Sequence, residues 1–213
     1  MSQLPAGAFR RYDETPDEEF YSVPRLVTHI DDRAIAAVTQ LYRKFFPSDG
    51  AILDLMSSWV SHLPEEARYK WVVGLGMNEE ELRRNPWLDA YVVQNLNTNP
   101  ELPFGEAEFD AVGICVSIDY LTNPVAVLRE VGRVLKVGSP VVVTFSNRCF
   151  PTKATRLWLA TDDAQHGALV RMYFGRGGRW EDIEAVDLSP TPGRTDPLFV
   201  VWARRAPDGP QTS

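Results

Sequence analysis

Three histidines, two cysteines and a scatter of carboxylates are the side chains of this 213-residue chain that could move protons or attack carbon. An imidazole titrates near neutrality, so each histidine is a candidate general base. His29 stands where an aromatic N-terminal segment joins the first helical pattern, and His62 follows a serine-rich turn, on or near a second helix. His166 lies beside Asp162-Asp163 in a segment that reads as an exposed helix. His29 ranks first as a base or substrate contact, His62 second and His166 last; for each, the plain alternative is a structural or surface imidazole. Cys115 and Cys149 fall in or beside strand-like runs and read as reduced, half-buried, inert thiols. Tyr21, Arg25, Tyr120, Asn147 and Arg148 are pocket candidates by position, and Arg25 or Arg148 would suit an anionic substrate group. Tyr120 reads equally well as packing. No group of His, Cys and acids has metal-ligand spacing, and Glu79-Glu80-Glu81 reads as a solvated first helical turn favoured by the helix dipole.

The elements that must position these residues follow from the apolar pattern. Residues 1–22 mix Pro, Gly and charge with Phe9, Tyr12, Phe20 and Tyr21, an irregular arm that must pack on something. Ile35, Val38, Leu41, Tyr42 and Phe45 paint one helix face, capped by Asp31-Asp32 and ended by Pro47 and Gly50. Apolar runs at 51–54, 70–75, 90–94, 109–116 and 140–145 alternate with helical patterns at 79–85 and 124–135. Runs rich in Val and Ile without alternation are buried on both faces, as in a parallel sheet covered by helices. Residues 180–188 and 197–203 read as an antiparallel hairpin at the sheet edge. The expected fold is α/β: an open, Rossmann-like, mostly parallel seven-stranded sheet with helices on both faces and an antiparallel C-terminal hairpin. One domain spans 1–213, with an arm or lid at 1–30, a core at 31–147, and an insertion helix and hairpin at 148–213.

Composition excludes other classes. With 22 basic and 29 acidic residues the net charge is -7, which argues against a phosphate-backbone partner. The apolar stretches are too short for a membrane span and the first twenty residues lack a secretory core. The expectation is a cytoplasmic monomer or homodimer acting on a small molecule, with no nucleic acid, membrane or metal partner.

In open α/β sheets ligands bind beyond the carboxyl ends of the strands, which directs attention to the strand ends. There the segments Leu102-Pro-Phe104, Phe109-Asp-Ala-Val112 and Val127 to Lys136 resemble the class I S-adenosylmethionine-dependent methyltransferases of the type 11 group. The resemblance covers about residues 50–147 and implies S-adenosylmethionine as cofactor. It places Asp54 near the cofactor's amino-acid end and puts Met56, Ser57, Ser58 and Trp59 where the family has a glycine-rich turn. It puts Gly76 where the family carries an acid for the ribose hydroxyls. Asn78 is then the nearest replacement, or simply a helix N-cap, and Met77 is free to pack on ribose or adenine. Asn95 matches the polar position facing adenine, with the Leu96 amide beside it, and Val116 closes the fourth strand. Gly74-Leu-Gly76 alone is poor evidence for a nicotinamide site.

The activity so implied is methyl transfer to an O, S or N nucleophile of a small molecule by in-line displacement. The alternative, suggested by the missing glycines and ribose acid, is a catalytically inactive ligand-sensing or protein-interaction module. The enzymatic reading requires a hollow beside Ser57, Ser58 and Asn78; Trp59 or Met77 filling it would undo that reading.

Overall fold

In the computed structural model, which describes residues 4–207 and 209, the Asp31 carboxylate accepts from the backbone N–H of Arg33 and Ala34. It thereby opens helix α2 (Asp32–Phe45), whose Ala34, Val38, Leu41 and Tyr42 are buried. A short helix α1 (Asp17–Phe20) precedes it in the arm. Then come β1 (Ala51–Leu55), β2 (Trp71–Gly76), α3 (Glu79–Arg84), β3 (Ala90–Val93) and β4 (Ala111–Cys115). After β4 the chain forms α4 (Pro124–Val134), β5 (Pro140–Phe145), α5 (Arg156–Leu159), α6 (Asp163–Arg176), β6 (Trp180–Asp187) and β7 (Phe199–Arg205).

The seven strands form one sheet in the order β3-β2-β1-β4-β5-β7-β6. The first five are parallel, while β7 runs antiparallel to both β5 and β6. This is the architecture the sequence predicts, including the edge hairpin. Strands β1 and β5 are buried throughout, as their unbroken apolar runs require. One face packs Leu128 and Val131 of α4 with Val170 and Phe174 of α6; the other packs Ala34, Val38 and Tyr42 of α2 against Ile52, Val72 and Val142.

The Glu130-to-Arg133 signature has a structural task. Glu130 accepts the Leu102 amide at 2.9 Å, and Arg133 donates to the carbonyls of Phe104 and Leu102 at 2.8 Å each. A bidentate guanidinium–carboxylate contact joins the two. Helix α4 thus holds the Leu102-Pro-Phe104 segment that leads into β4.

Two expectations fail. No helix forms around His62: residues 56–70 link β1 to β2 without one. Serine hydroxyls compete for hydrogen bonds there, Val60 is β-branched, and Pro64 cannot continue a helix. Nor is the helix bearing His166 a free surface element. The His166 ring stacks on Trp158 at 3.8 Å and its Nε2 lies 3.0 Å from the Trp158 carbonyl, so the residue is buried.

The arm is anchored by charge. Arg11 meets Asp17 at 2.6 Å, and the fully buried Lys153 Nζ lies 3.3 Å from Asp13 and 3.4 Å from Asp17. The outermost residues of the expected arm and tail (1–3, 208 and 210–213) lie outside the described residues. Among the described residues no helix is long and apolar enough to cross a membrane, and no group of three or more His, Cys, Asp or Glu could hold a metal ion.

Candidate active site

Strand β1 ends in a turn that resembles a glycine turn in shape and not in composition. Met56 has φ of 59°, the left-handed conformation glycine adopts without cost. Val116, at the end of the neighbouring β4, has φ of 44°, strained for a β-branched residue. Beyond Met56 the chain is held by side-chain bonds. The Ser57 amide donates to the Leu75 carbonyl at 2.8 Å, and the hydroxyls of Ser57 and Ser61 both donate to Asp54 at 2.6 Å. The Asn85 amide group donates to the Ser61 hydroxyl at 2.8 Å and the Ser58 carbonyl at 2.9 Å. Asp54 is therefore a buried strut beneath the turn. Desolvation pushes its pKa up to about 6, against the opposing pull of the two serine hydroxyls.

This wiring explains Gly76. A Cβ at that position would lie 2.2 Å from the Ser57 carbonyl oxygen, so the turn leaves no room for any side chain. An acid at the end of β2 is excluded by packing.

Above the turn lies a hollow with a water-accessible volume of about 140 Å³, partly open to solvent. Met56, Ser57 and Ser58 line it from β1; Gly76, Met77 and Asn78 from β2. Gln94 and Leu96 come from β3, and Cys115, Val116, Ser117, Tyr120 and Leu121 from β4. Tyr21, Arg25 and His29 of the arm, with Phe150 after β5, complete the lining. Trp59 does not fill it: its indole N–H donates outward to the Val27 carbonyl of the arm at 3.1 Å. Met77 forms part of the wall.

Of the residues singled out from sequence, His29, Met56, Ser57, Ser58, Met77, Asn78, Leu96, Val116, Tyr21, Arg25 and Tyr120 come together here. Five do not line it. Asp54 lies under the turn; Asn95 donates to Glu18 at 2.8 Å, at a separate depression beneath the arm. Asn147 and Arg148 line a groove beside the turn before β7, where Arg148 pairs with Asp196 at 2.7 Å. His62 has φ of 50°, its carbonyl accepts the Thr39 hydroxyl, and burial pulls its pKa down to about 4. It does not line the hollow.

Asn78 is the N-cap of α3: its carbonyl oxygen accepts the Glu81 amide at 3.0 Å, while its NH₂ donates to the Tyr21 carbonyl at 2.8 Å. Both ends of the side chain are engaged. Arg25 donates to the Phe20 carbonyl and lies 4.4 Å from the Phe20 ring centre, so the guanidinium braces the arm.

Sequence reasoning missed Gln94, Ser117, Phe150 and, above all, Glu81. Glu81 is buried, against the expectation of a solvated turn, and it is the one carboxylate among the lining residues. Its oxygens accept the Arg25 amide and the Ser58 hydroxyl at 2.6 Å each. Asn at the N-cap with Glu three residues on was the available signal, but the Glu side chain reaches across the hollow's rim instead of back to its own cap.

Electrostatically the hollow suits a neutral base. Desolvation of the His29 ring, edge-on to Phe150 at 5.3 Å, pulls its pKa below the ordinary imidazole value, with Glu81 opposing and Arg25 reinforcing. Burial pushes Cys115 up to about 12 and Cys149 up to about 11, so neither is a thiolate near neutrality. Ser117 Oγ is buried without a hydrogen-bond partner, an orphan that a ligand's polar atom would satisfy. Together with the apolar Met77, Leu96 and Val116 and the single carboxylate, it makes the lining fit a nucleoside with a polar tail.

Residues 58–143 match the family model described as a methyltransferase domain. That match begins at Ser58, inside the turn that follows β1. No curated protein sequence matches the chain. Among solved structures, the putative methyltransferase in complex with the Trm112 methyltransferase activator of Haloferax volcanii superposes with a TM-score of 0.62 at 15% identity, covering 83% of this chain and 92% of that one. An S-adenosylmethionine-dependent methyltransferase from Mesorhizobium loti gives 0.56 at 18% identity, over 79% and 98%. Phosphoethanolamine N-methyltransferase 2 of Haemonchus contortus, solved with S-adenosyl-L-methionine, gives 0.58 at 13% identity, over 81% and 52%. Residues 58–143 are thus similar to a methyltransferase domain, and the chain shares its fold with these S-adenosylmethionine-dependent methyltransferase structures.

Proposed function

We propose that the protein transfers a methyl group from S-adenosylmethionine to the hydroxyl or thiol of a small, largely apolar acceptor held in the hollow beneath the arm. The observation that carries this reading is the hollow itself: apolar walls at four strand ends, an orphaned Ser117 hydroxyl and a single carboxylate. When bound, the donor supplies a methyl group already activated on a positively charged sulfur.

The chain's own residues do the rest. Met56, Ser57 and Ser58 border the side where the donor's amino-acid end would lie, and Met77 and Leu96 offer apolar surface to its base. The aromatic rings of Tyr21, Tyr120 and Phe150 line the arm side, where a flat acceptor would stack. Positioning two reactants in this way supplies about 7–11 kcal/mol in favourable cases. His29, neutral near pH 7, takes the proton from the acceptor's O–H or S–H. A net charge of -7 supports a small molecule over a nucleic acid as acceptor.

The test is calorimetry with S-adenosylmethionine and S-adenosylhomocysteine, followed by a panel of phenols, thiols and amines with product detection. Heat of binding and turnover on a phenol or thiol are expected. Absence of heat with both nucleosides up to millimolar concentration removes the reading.

A further inference from the structure

We propose that Glu81 is the residue that accepts the vicinal hydroxyls of the nucleoside, and that it does so while holding the arm; this rests on the donor assignment above. A cis-diol presents two O–H donors side by side, and a carboxylate, with two oxygens and about four lone-pair sites, is the acceptor that matches them. Glu81 is the one carboxylate that lines the hollow. It is buried, and each oxygen accepts one bond, from the Arg25 amide and the Ser58 hydroxyl. One further site on each oxygen remains for a ligand.

Position 76, nearest the end of β2, cannot carry an acceptor because the Ser57 carbonyl fills its Cβ space. Asn78, the next polar side chain along, has its carbonyl committed to the α3 cap and its NH₂ to the arm. Ser117 Oγ, buried and unpartnered in the same hollow, independently marks it as built for a polar ligand.

The experiment pairs a ligand change with a residue change. S-adenosylhomocysteine and its 2′,3′-dideoxy analogue are titrated calorimetrically into the wild-type protein and into Glu81→Gln. Loss of the diol is expected to weaken binding to wild type by about 10- to 100-fold, the range for hydrogen bonds to a charged group. Glu81→Gln is expected to weaken S-adenosylhomocysteine by a similar factor and to bind the analogue as wild type does. Equal affinity of Glu81→Gln and wild type for S-adenosylhomocysteine overturns the proposal, as do additive losses. Absence of S-adenosylhomocysteine binding to wild type overturns the donor assignment and this proposal with it, so the two failures are distinct. If circular dichroism shows Glu81→Gln unfolded, Glu81→Asp carries the test. Its carboxylate, drawn back by one methylene, should weaken S-adenosylhomocysteine more than the dideoxy analogue, and equal weakening overturns the proposal.

Discussion

At position 76 a residue that looks like a loss is a packing requirement. Installing the acid that resemblance leads one to expect, Gly76→Asp, drives a side chain into the Ser57 carbonyl, 2.2 Å from the new Cβ. Overpacking of this kind costs about 1–3 kcal/mol, so the variant should show a lowered urea midpoint and no gain in S-adenosylhomocysteine affinity. His29 gives the complementary prediction. His29→Ala should lower kcat about 10²–10⁴-fold for hydroxyl acceptors, while the calorimetric Kd for S-adenosylhomocysteine stays within a few-fold of wild type. A kcat unchanged on a phenol would dismiss His29 as the base. Single residues were the hardest part of the molecule to read from sequence. Glu81 looks like the third member of an acidic helical run, and the Asn78 cap sets it apart from its neighbours without telling that it is buried against Ser58 and Arg25. Asp54 reads from sequence as a cofactor contact and not as a strut, because its partners Ser57 and Ser61 reach it only once the link folds back.

The elements were more legible, for a physical reason. Strands buried on both faces must be apolar without interruption, and helices covering them must be apolar on one side; both patterns are visible one residue at a time. The missing helix between β1 and β2 was obscured by the resemblance, although Ser57, Ser58, Ser61 and Pro64 argue against a helix on propensity alone. The Glu130–Arg133 pair shows how a segment that carries a resemblance can be structural. It ties α4 to the Leu102-Pro-Phe104 segment, far in sequence but adjacent in space. Arg133→Ala removes donors from two carbonyls and leaves Glu130 without its cation. A loss of about 1.5–3 kcal/mol is expected from hydrogen bonds to charged groups, reduced by partial solvent exposure. Urea unfolding should register it with no change in acceptor preference.

Across the whole molecule, stability should fall as pH rises from about 6.5 to 8. Asp119, after β4, is fully buried with one carboxyl oxygen lacking a partner, and desolvation pushes its pKa up to about 8. Its unfolded value is near 4, so the native state binds more protons between those limits and is progressively weakened as they leave. Below pH 6.5 the effect is masked: Asp54, raised to about 6, changes stability in the same direction, while His62, lowered to about 4, opposes it. Thermal midpoints from pH 6.5 to 8 should therefore decline for wild type and stay level for Asp119→Asn. A wild-type profile as flat as the variant's would show that Asp119 stays ionised when folded.

The arm is fastened to the sheet at several places, by Asn78 at the Tyr21 carbonyl, Glu81 at the Arg25 amide, Trp59 at the Val27 carbonyl, and reciprocal backbone-to-carboxylate bonds between Asp31 and Asp196. These clasps fix Tyr21, Arg25 and His29 in the wall of the hollow, so the proposed acceptor would meet a rigid surface on that side.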